Sequence, residues 1–156
     1  RVRPGQRVLV VGAGNSGSLS AVAALEAGAT EVAVADFDAA KLERLSRVLP
    51  TRIRLVRADA SDALAFAAAV GPAANLVVSC VDRPGVEPAC ILATQPGGHI
   101  LFFSMTTDFA RATLCAEGVG SDATLEMGNG YYPGHAAAAF DLLRRHRALW
   151  THLSPG

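Results

Sequence analysis

RVLVVGAGNSG, residues 7–17, runs a continuously apolar segment straight into three glycines spaced GxGxxG: Gly12, Gly14 and Gly17. Each glycine has a physical use when the segment is a strand that turns into a helix. Gly12 permits the tight turn, Gly14 lets backbone come close to a pyrophosphate, and Gly17 allows the helix to pack onto the strand. The N–H groups around Asn15, Ser16 and Gly17 open that helix and lack intrahelical acceptors, so with the positive end of the helix dipole they form an anion site. A GxGxxG on its own also serves as a plain turn, and its weight comes from its surroundings.

Those surroundings are an alternation of short β-rich runs and longer helical stretches along the whole chain. The strand candidates are residues 7–12, 31–36, 52–59, 75–81, 99–104 and 123–128. Most are apolar through the middle, as strands covered on both faces must be. Between them lie helical stretches at 16–28, 38–49, 61–71 and 86–94, with another at 140–150. The second is the clearest, with Leu42, Leu45 and Leu49 on one stripe and charged residues elsewhere. Asp38 and Ser61 stand as N-caps, and Gly28 and Gly71 as C-terminal stops. This order implies βαβ units and an α/β fold, a doubly wound, parallel, six-stranded Rossmann sheet with helices on both faces.

Asp36 closes the second strand at the offset beyond Gly17, about twenty residues, where the dinucleotide fingerprint places a carboxylate for the adenosine ribose. A carboxylate there repels a 2′-phosphate. The expected cofactor is therefore NAD, with NADP as the alternative, because no arginine stands beside Asp36 before Arg44. Phe37 follows and can pack on an adenine face, although an aromatic there also serves as core. In open α/β sheets the ligand crosses the carboxyl ends of the strands, which puts Cys80, Val81 and Asp82 on the adenosine side and Ser104, Met105 and Thr106 on the nicotinamide side. Asp59 faces the adenine amino group or caps the next helix, and the cap is the better reading.

Composition narrows the partners. With 51% hydrophobic and 18% charged residues the chain builds a full core. Fourteen basic residues balance fourteen acidic ones, so no whole-chain field draws in nucleic acid or anionic lipid, and neither partner is expected. Apolar runs stop at about six residues where a membrane span needs roughly 20. Cys80, Cys90 and Cys115 form no CxxC pair and leave an odd count, which reads as reduced thiols and a cytoplasmic location. His99, His135, His146 and His152 show no metal-ligand spacing, so no metal is expected. His146 and His152, among Arg144, Arg145 and Arg147, read as a solvated helix end.

The second half carries longer strings than the glycine loop. CVDRPGVE (80–87), ILAT (91–94), FFSMTTDF (102–109), AEGVG (116–120) and GNGYYPGHA (128–136) resemble the corresponding stretch of the L-erythro-3,5-diaminohexanoate dehydrogenase family. The likeness runs from about residue 4 to about residue 153. More broadly, RPGQRVLVVGAG (3–14) resembles the entrance to the cofactor domain of medium-chain dehydrogenases, whose catalytic domain comes first. The resemblance implies that residues 1–156 are the NAD(P)-binding domain of a larger enzyme, the N-terminal catalytic domain being absent, and that this part is inactive alone. The reaction implied is NAD(P)-dependent oxidative deamination of a diamino acid to 5-amino-3-oxohexanoate and ammonia, a step of lysine degradation.

Such chemistry needs a base to take a proton from the ammonium and a water placed to attack the imine. Asn129, Tyr131, Tyr132 and His135 lie in the GNGYYPGHA segment, where an Asn-Gly turn and a helix start explain them equally well. Glu117 and Asp108 read as loop caps or solvated charges, and no catalytic residue is assigned. Two other readings stay open: the cofactor domain of another medium-chain alcohol dehydrogenase or quinone reductase, and a non-catalytic NAD-binding module. The last strand, 123–128, reads as a sheet edge, which makes a homodimer the expected assembly.

Overall fold

The computed structural model describes residues 2–128 and 132–153, so Asn129 and Tyr131 lie outside the described residues. The first half alternates β1 (Arg7–Val11), α1 (Asn15–Glu26), β2 (Glu31–Asp36), α2 (Ala39–Ser46), β3 (Ile53–Arg57) and α3 (Ala63–Val70). The second continues with β4 (Ala74–Ser79), α4 (Glu87–Leu92), β5 (Thr94–Phe102), α5 (Phe109–Leu114), α6 (Ala116–Val119), β6 (Thr124–Met127), α7 (His135–Arg145) and α8 (Arg147–Leu153). The strands form one six-stranded sheet in the order β3-β2-β1-β4-β5-β6, parallel throughout. This is the doubly wound Rossmann architecture that the sequence pattern implies.

Period-two side-chain alternation sorts the strands onto two cores. Val8, Val10, Val32, Val34, Leu76 and Val78 face one side, where Ala21 and Val22 of α1, Leu42 and Leu45 of α2, Leu142 of α7 and Leu149 of α8 cover them. Leu9, Val11, Ala35, Val77, Ile100 and Phe102 face the other, under Phe66 of α3, Ala89 and Ile91 of α4, and Ala112 of α5. A strand covered on both faces is apolar through its middle, which is why Val8–Val11 of β1 and Val32–Ala35 of β2 read as unbroken hydrophobic runs.

Several boundaries differ from the sequence reading, each for a local reason. The third strand stops at Arg57. Asp59 then accepts from the Ser61 N–H at 2.9 Å, and Asp62 accepts from the Ala65 N–H at 3.0 Å. The cap of α3 is therefore Asp62 and not Ser61: two acids and a serine close together compete for the same role, and only the turn geometry chooses. Asp38 caps α2 as expected, accepting from Ala40 and Lys41. Helices α5 and α6 fall between the fifth and sixth strands in a stretch too short to show a period.

The terminal helix breaks at His146 (φ −114°, ψ 69°), which separates α7 from α8. Around the break the basic end closes on α1: Arg145 Nη2 donates to Glu26 Oε2 at 2.7 Å, and His146 Nε2 lies 2.8 Å from Glu26 Oε1. The reading of this end as a plain solvated face is corrected to that extent. Arg144 and Arg147 do remain exposed.

The Arg145 guanidinium, with His146 beside it, holds the Glu26 carboxyl down to about 2 from its ordinary 4.5. A carboxyl depressed in the folded state contributes stability in full above its unfolded value and loses it as pH falls toward the folded one. In urea unfolding across a pH series, the stability gap between the intact chain and Glu26→Gln is expected to be constant above pH 4.5 and to close between 4.5 and about 2. A gap that persists at pH 2 would show that the pair does not carry it.

Candidate functional site

Connections leaving β1 run toward β2 and β3, whereas those leaving β4 run toward β5 and β6. At the carboxyl ends of β1 and β4, where the direction of winding reverses, a cavity of about 310 Å³ opens. Gly12, Gly14, Asp36, Phe37, Asp59, Cys80, Val81 and Asp82 all line it, so eight of the residues that the sequence marks come together there.

The turn that floors the cavity is built by exclusion of side chains. Gly12 has φ +104°, and a Cβ on it would stand 3.1 Å from the Cys80 carbonyl oxygen. A Cβ on Gly17 would run into the Gly12 carbonyl oxygen, so only hydrogen permits α1 to start this close to β1. At Gly14 a Cβ would meet nothing within 4 Å, because that side opens on the cavity. The first helical bond of α1 runs from the Ser18 N–H to the Gly14 carbonyl at 2.9 Å, leaving the N–H groups of Asn15, Ser16 and Gly17 outside the helical ladder.

Asp36 is only 8% exposed and holds the turn from the side. Its Oδ2 accepts from the Ala13 N–H at 2.7 Å, and its Oδ1 accepts from the Asp38 N–H at 2.9 Å. Each carboxylate oxygen has a second lone pair, so acceptor capacity toward a hydroxyl remains. Beside it Phe37 is 51% exposed, and the Arg83 guanidinium sits 5.6 Å from its ring centroid, within cation–π range. Arg83 and Lys41 also line the cavity. Sequence reasoning misses Arg83; the available signal is an arginine just past the fourth strand. The Ser61 N–H, with Arg83 nearby, lowers the Asp59 carboxyl below its usual range.

The remaining candidates sit elsewhere. Asn15, Ser16 and Gly17 form the first turn of α1, and Ser16 also borders an apolar groove between α1 and α7. Ser104 and Met105 line a separate hollow of about 170 Å³ at the ends of β5 and β6, so the cavity at the switch point does not include them. Ser104 Oγ lies 2.9 Å from Thr106 Oγ1, and Met105 is 87% exposed. His135 opens α7 with Nδ1 2.8 Å from the Tyr132 carbonyl oxygen, and it borders the α1–α7 groove. Asp108 caps α5, accepting from the Arg111 N–H at 2.9 Å, and Glu117 lies in α6. Burial pushes the Cys80 thiol up to about 11 and the Cys90 thiol to about 12, which keeps both protonated near neutrality and suits them to packing over nucleophilic chemistry. Among the described residues no group of three His, Cys, Asp or Glu gathers as a metal cluster, and no helix is long and apolar enough to cross a membrane.

Known proteins resemble the chain at both the sequence and the fold level. The profile of the family described as "Alanine dehydrogenase/PNT, C-terminal domain" matches residues 1–97. The L-erythro-3,5-diaminohexanoate dehydrogenase of Fusobacterium nucleatum is 36% identical over 95% of the chain, and that of Acetoanaerobium sticklandii is 32% identical over 96%. The chain spans 45% and 46% of those proteins' lengths, about half of each. Among solved structures, L-idonate 5-dehydrogenase of Escherichia coli superimposes with a TM-score of 0.70 at 20% identity, covering 94% of this chain and 40% of that one. That likeness concerns the fold.

Asp36 has a role in holding the turn whether or not a ligand is present. An asparagine there keeps one carbonyl acceptor for two N–H donors, so one bond is lost. Urea denaturation of the ligand-free chain should show Asp36→Asn less stable by about 1–3 kcal/mol. Equal stability would mean that the Ala13 and Asp38 bonds contribute nothing to the fold.

Proposed function

Because this chain belongs to the alanine dehydrogenase/PNT C-terminal domain family, we propose that it is the dinucleotide-binding domain of an NAD-dependent dehydrogenase that oxidatively deaminates L-erythro-3,5-diaminohexanoate. The observation that carries the binding half of this reading is the cavity at the switch point, where a turn that requires glycine at Gly12 and Gly17, the opening amides of α1 and a nearly buried aspartate converge. The substrate rests on the two relatives of that name.

The residues present fit the cofactor. Open space beside Gly14 leaves room for a diphosphate against backbone, and the N–H groups of Asn15, Ser16 and Gly17 supply donors. Asp36 accepts from ribose hydroxyls and disfavours a 2′-phosphate, which favours NAD over NADP. Phe37 and Arg83 offer a flat aromatic and cationic surface suited to adenine, and Cys80 and Val81 line the same cavity. Ser104 and Met105 border the nicotinamide side. When bound, the nicotinamide ring supplies the acceptor for a hydride leaving the carbon that bears the 3-amino group. That amine must first lose a proton to a base, and water then turns the imine into 5-amino-3-oxohexanoate and ammonia. The chain spans about half the length of those relatives, and none of its residues is assigned as the base or as the partner of the substrate carboxylate.

Two further features belong to the proposal. Cys80, Cys90 and Cys115 are all free thiols, in keeping with a cytoplasmic enzyme. β6 is an edge strand of the sheet, a surface through which two subunits can associate as a homodimer.

Two measurements test the reading. Titration of the chain should show NAD binding more tightly than NADP, and Asp36→Gly should narrow or reverse that ratio by about tenfold, the worth of one charge-assisted hydrogen bond. Assay of the complete protein should show NAD reduction with 3,5-diaminohexanoate; reduction with simple alcohols alone would eliminate the amine assignment.

A further inference from the structure

Glu87 is the first residue of α4, and it is fully buried, 0% exposed. Charged side chains are rarely sequestered unless their oxygens are satisfied, and here both are, by backbone of two different loops. Oε2 accepts from the Gly85 N–H at 3.0 Å in the loop that follows β4, and Oε1 accepts from the Asp108 N–H at 2.8 Å in the loop that follows β5. Asp108 in turn caps α5 through the Arg111 N–H at 2.9 Å. The Arg111 side chain comes back against the first loop, with Nη1 3.2 Å from where a Cβ on Gly85 would stand. One carboxylate therefore closes a ring of contacts between segments twenty-one positions apart in sequence.

The first loop carries Val81 and Arg83 into the cavity at the switch point, and the second carries Ser104 and Met105 into the hollow at the end of β5. These are the adenosine and nicotinamide sides of the proposed cofactor site, and the role of Glu87 rests on that reading. We infer that Glu87 is a positioning residue that sets the β5 loop against the β4 loop, and that cofactor binding beyond the adenosine half depends on its two backbone hydrogen bonds. The side chain lines neither of those two hollows. It acts because a backbone N–H held by a buried carboxylate cannot shift without leaving that charge unpaired, and a bidentate acceptor tied to two loops moves only if both do.

Glu87→Gln conserves shape but offers one acceptor and one donor where two N–H groups point, so one loop is released. The test titrates the full chain, intact and Glu87→Gln, with ADP and separately with NAD, while circular dichroism reports the fold. ADP affinity is expected to stay within about twofold and NAD affinity to fall about tenfold, the size of one lost charge-assisted bond. Unchanged NAD affinity overturns the inference, and so does an equal loss for both ligands, which marks a merely structural role. If the intact chain binds neither nucleotide, the dinucleotide reading itself fails and this one with it. A second measurement needs no variant: amide hydrogen exchange of the intact chain should show the Gly85 and Asp108 N–H groups strongly protected, and exchange at open-loop rates overturns the brace even if Glu87→Gln does not fold.

Discussion

The bond from the Ala13 N–H to the Asp36 carboxylate joins the two strand ends on which the rest of the site is built. Ala13 stands between the first two glycines of the turn, and Asp36 is the last residue of β2. A turn with Gly12 at positive φ is tied to β2 by the Gly12 N–H to the Ala35 carbonyl oxygen at 2.8 Å and needs a second hold. The adjacent carboxylate supplies that hold, and it also takes the Asp38 N–H just before α2, so one side chain ties the start of α1 to the start of α2. A nearly buried charge is tolerable there because backbone N–H groups satisfy both oxygens, and the same charge gives the cavity its acceptor.

The parallel sheet explains why this arrangement is available at all. Parallel strands require crossovers, and the crossovers cover both faces with helices. With both faces covered by helices, the central strands present their own backbone amides and polar side chains to solvent at the ends of the sheet. The winding reverses between β1 and β4, which parts the loops at that end and leaves the cavity between them. Glu87 repeats the logic on the other side of the reversal: a carboxylate with no solvent contact, satisfied by backbone, fixes how two neighbouring loops stand to one another.

Much of the site is legible in the sequence because it is written in neighbouring residues. The glycine spacing, the acid at the end of the second strand and the aromatic after it lie in fixed relation to the elements that present them, and Gly12, Gly14, Asp36, Phe37, Cys80 and Val81 all meet at one cavity. Arg83 escapes because nothing in its own neighbourhood says that it will reach Phe37; the two are brought together only when β2 and β4 flank β1. Ser61 reads as the cap that Asp62 provides, since a capping residue is chosen by the angle at which the chain enters the helix and several residues in that turn carry suitable oxygens. The break at His146 is invisible for a similar reason: the helical period continues through it, and the Glu26 carboxylate that the basic end meets lies on α1, far away in sequence.

The amino-acid sequence by itself determined the six strands and the crossover helices among the first five, the parallel sheet, the phosphate-type turn and the placement of an acid beside it, because hydrophobic period and glycine spacing act over a few residues at a time. The tertiary structure alone decided which of the polar groups are occupied and by whom: Asp36 by Ala13, Glu87 by Gly85 and Asp108, Glu26 by Arg145 and His146. Most of those pairings join segments far apart in the chain, and all depend on how the backbone is arranged once the two cores have packed. No local pattern encodes that arrangement.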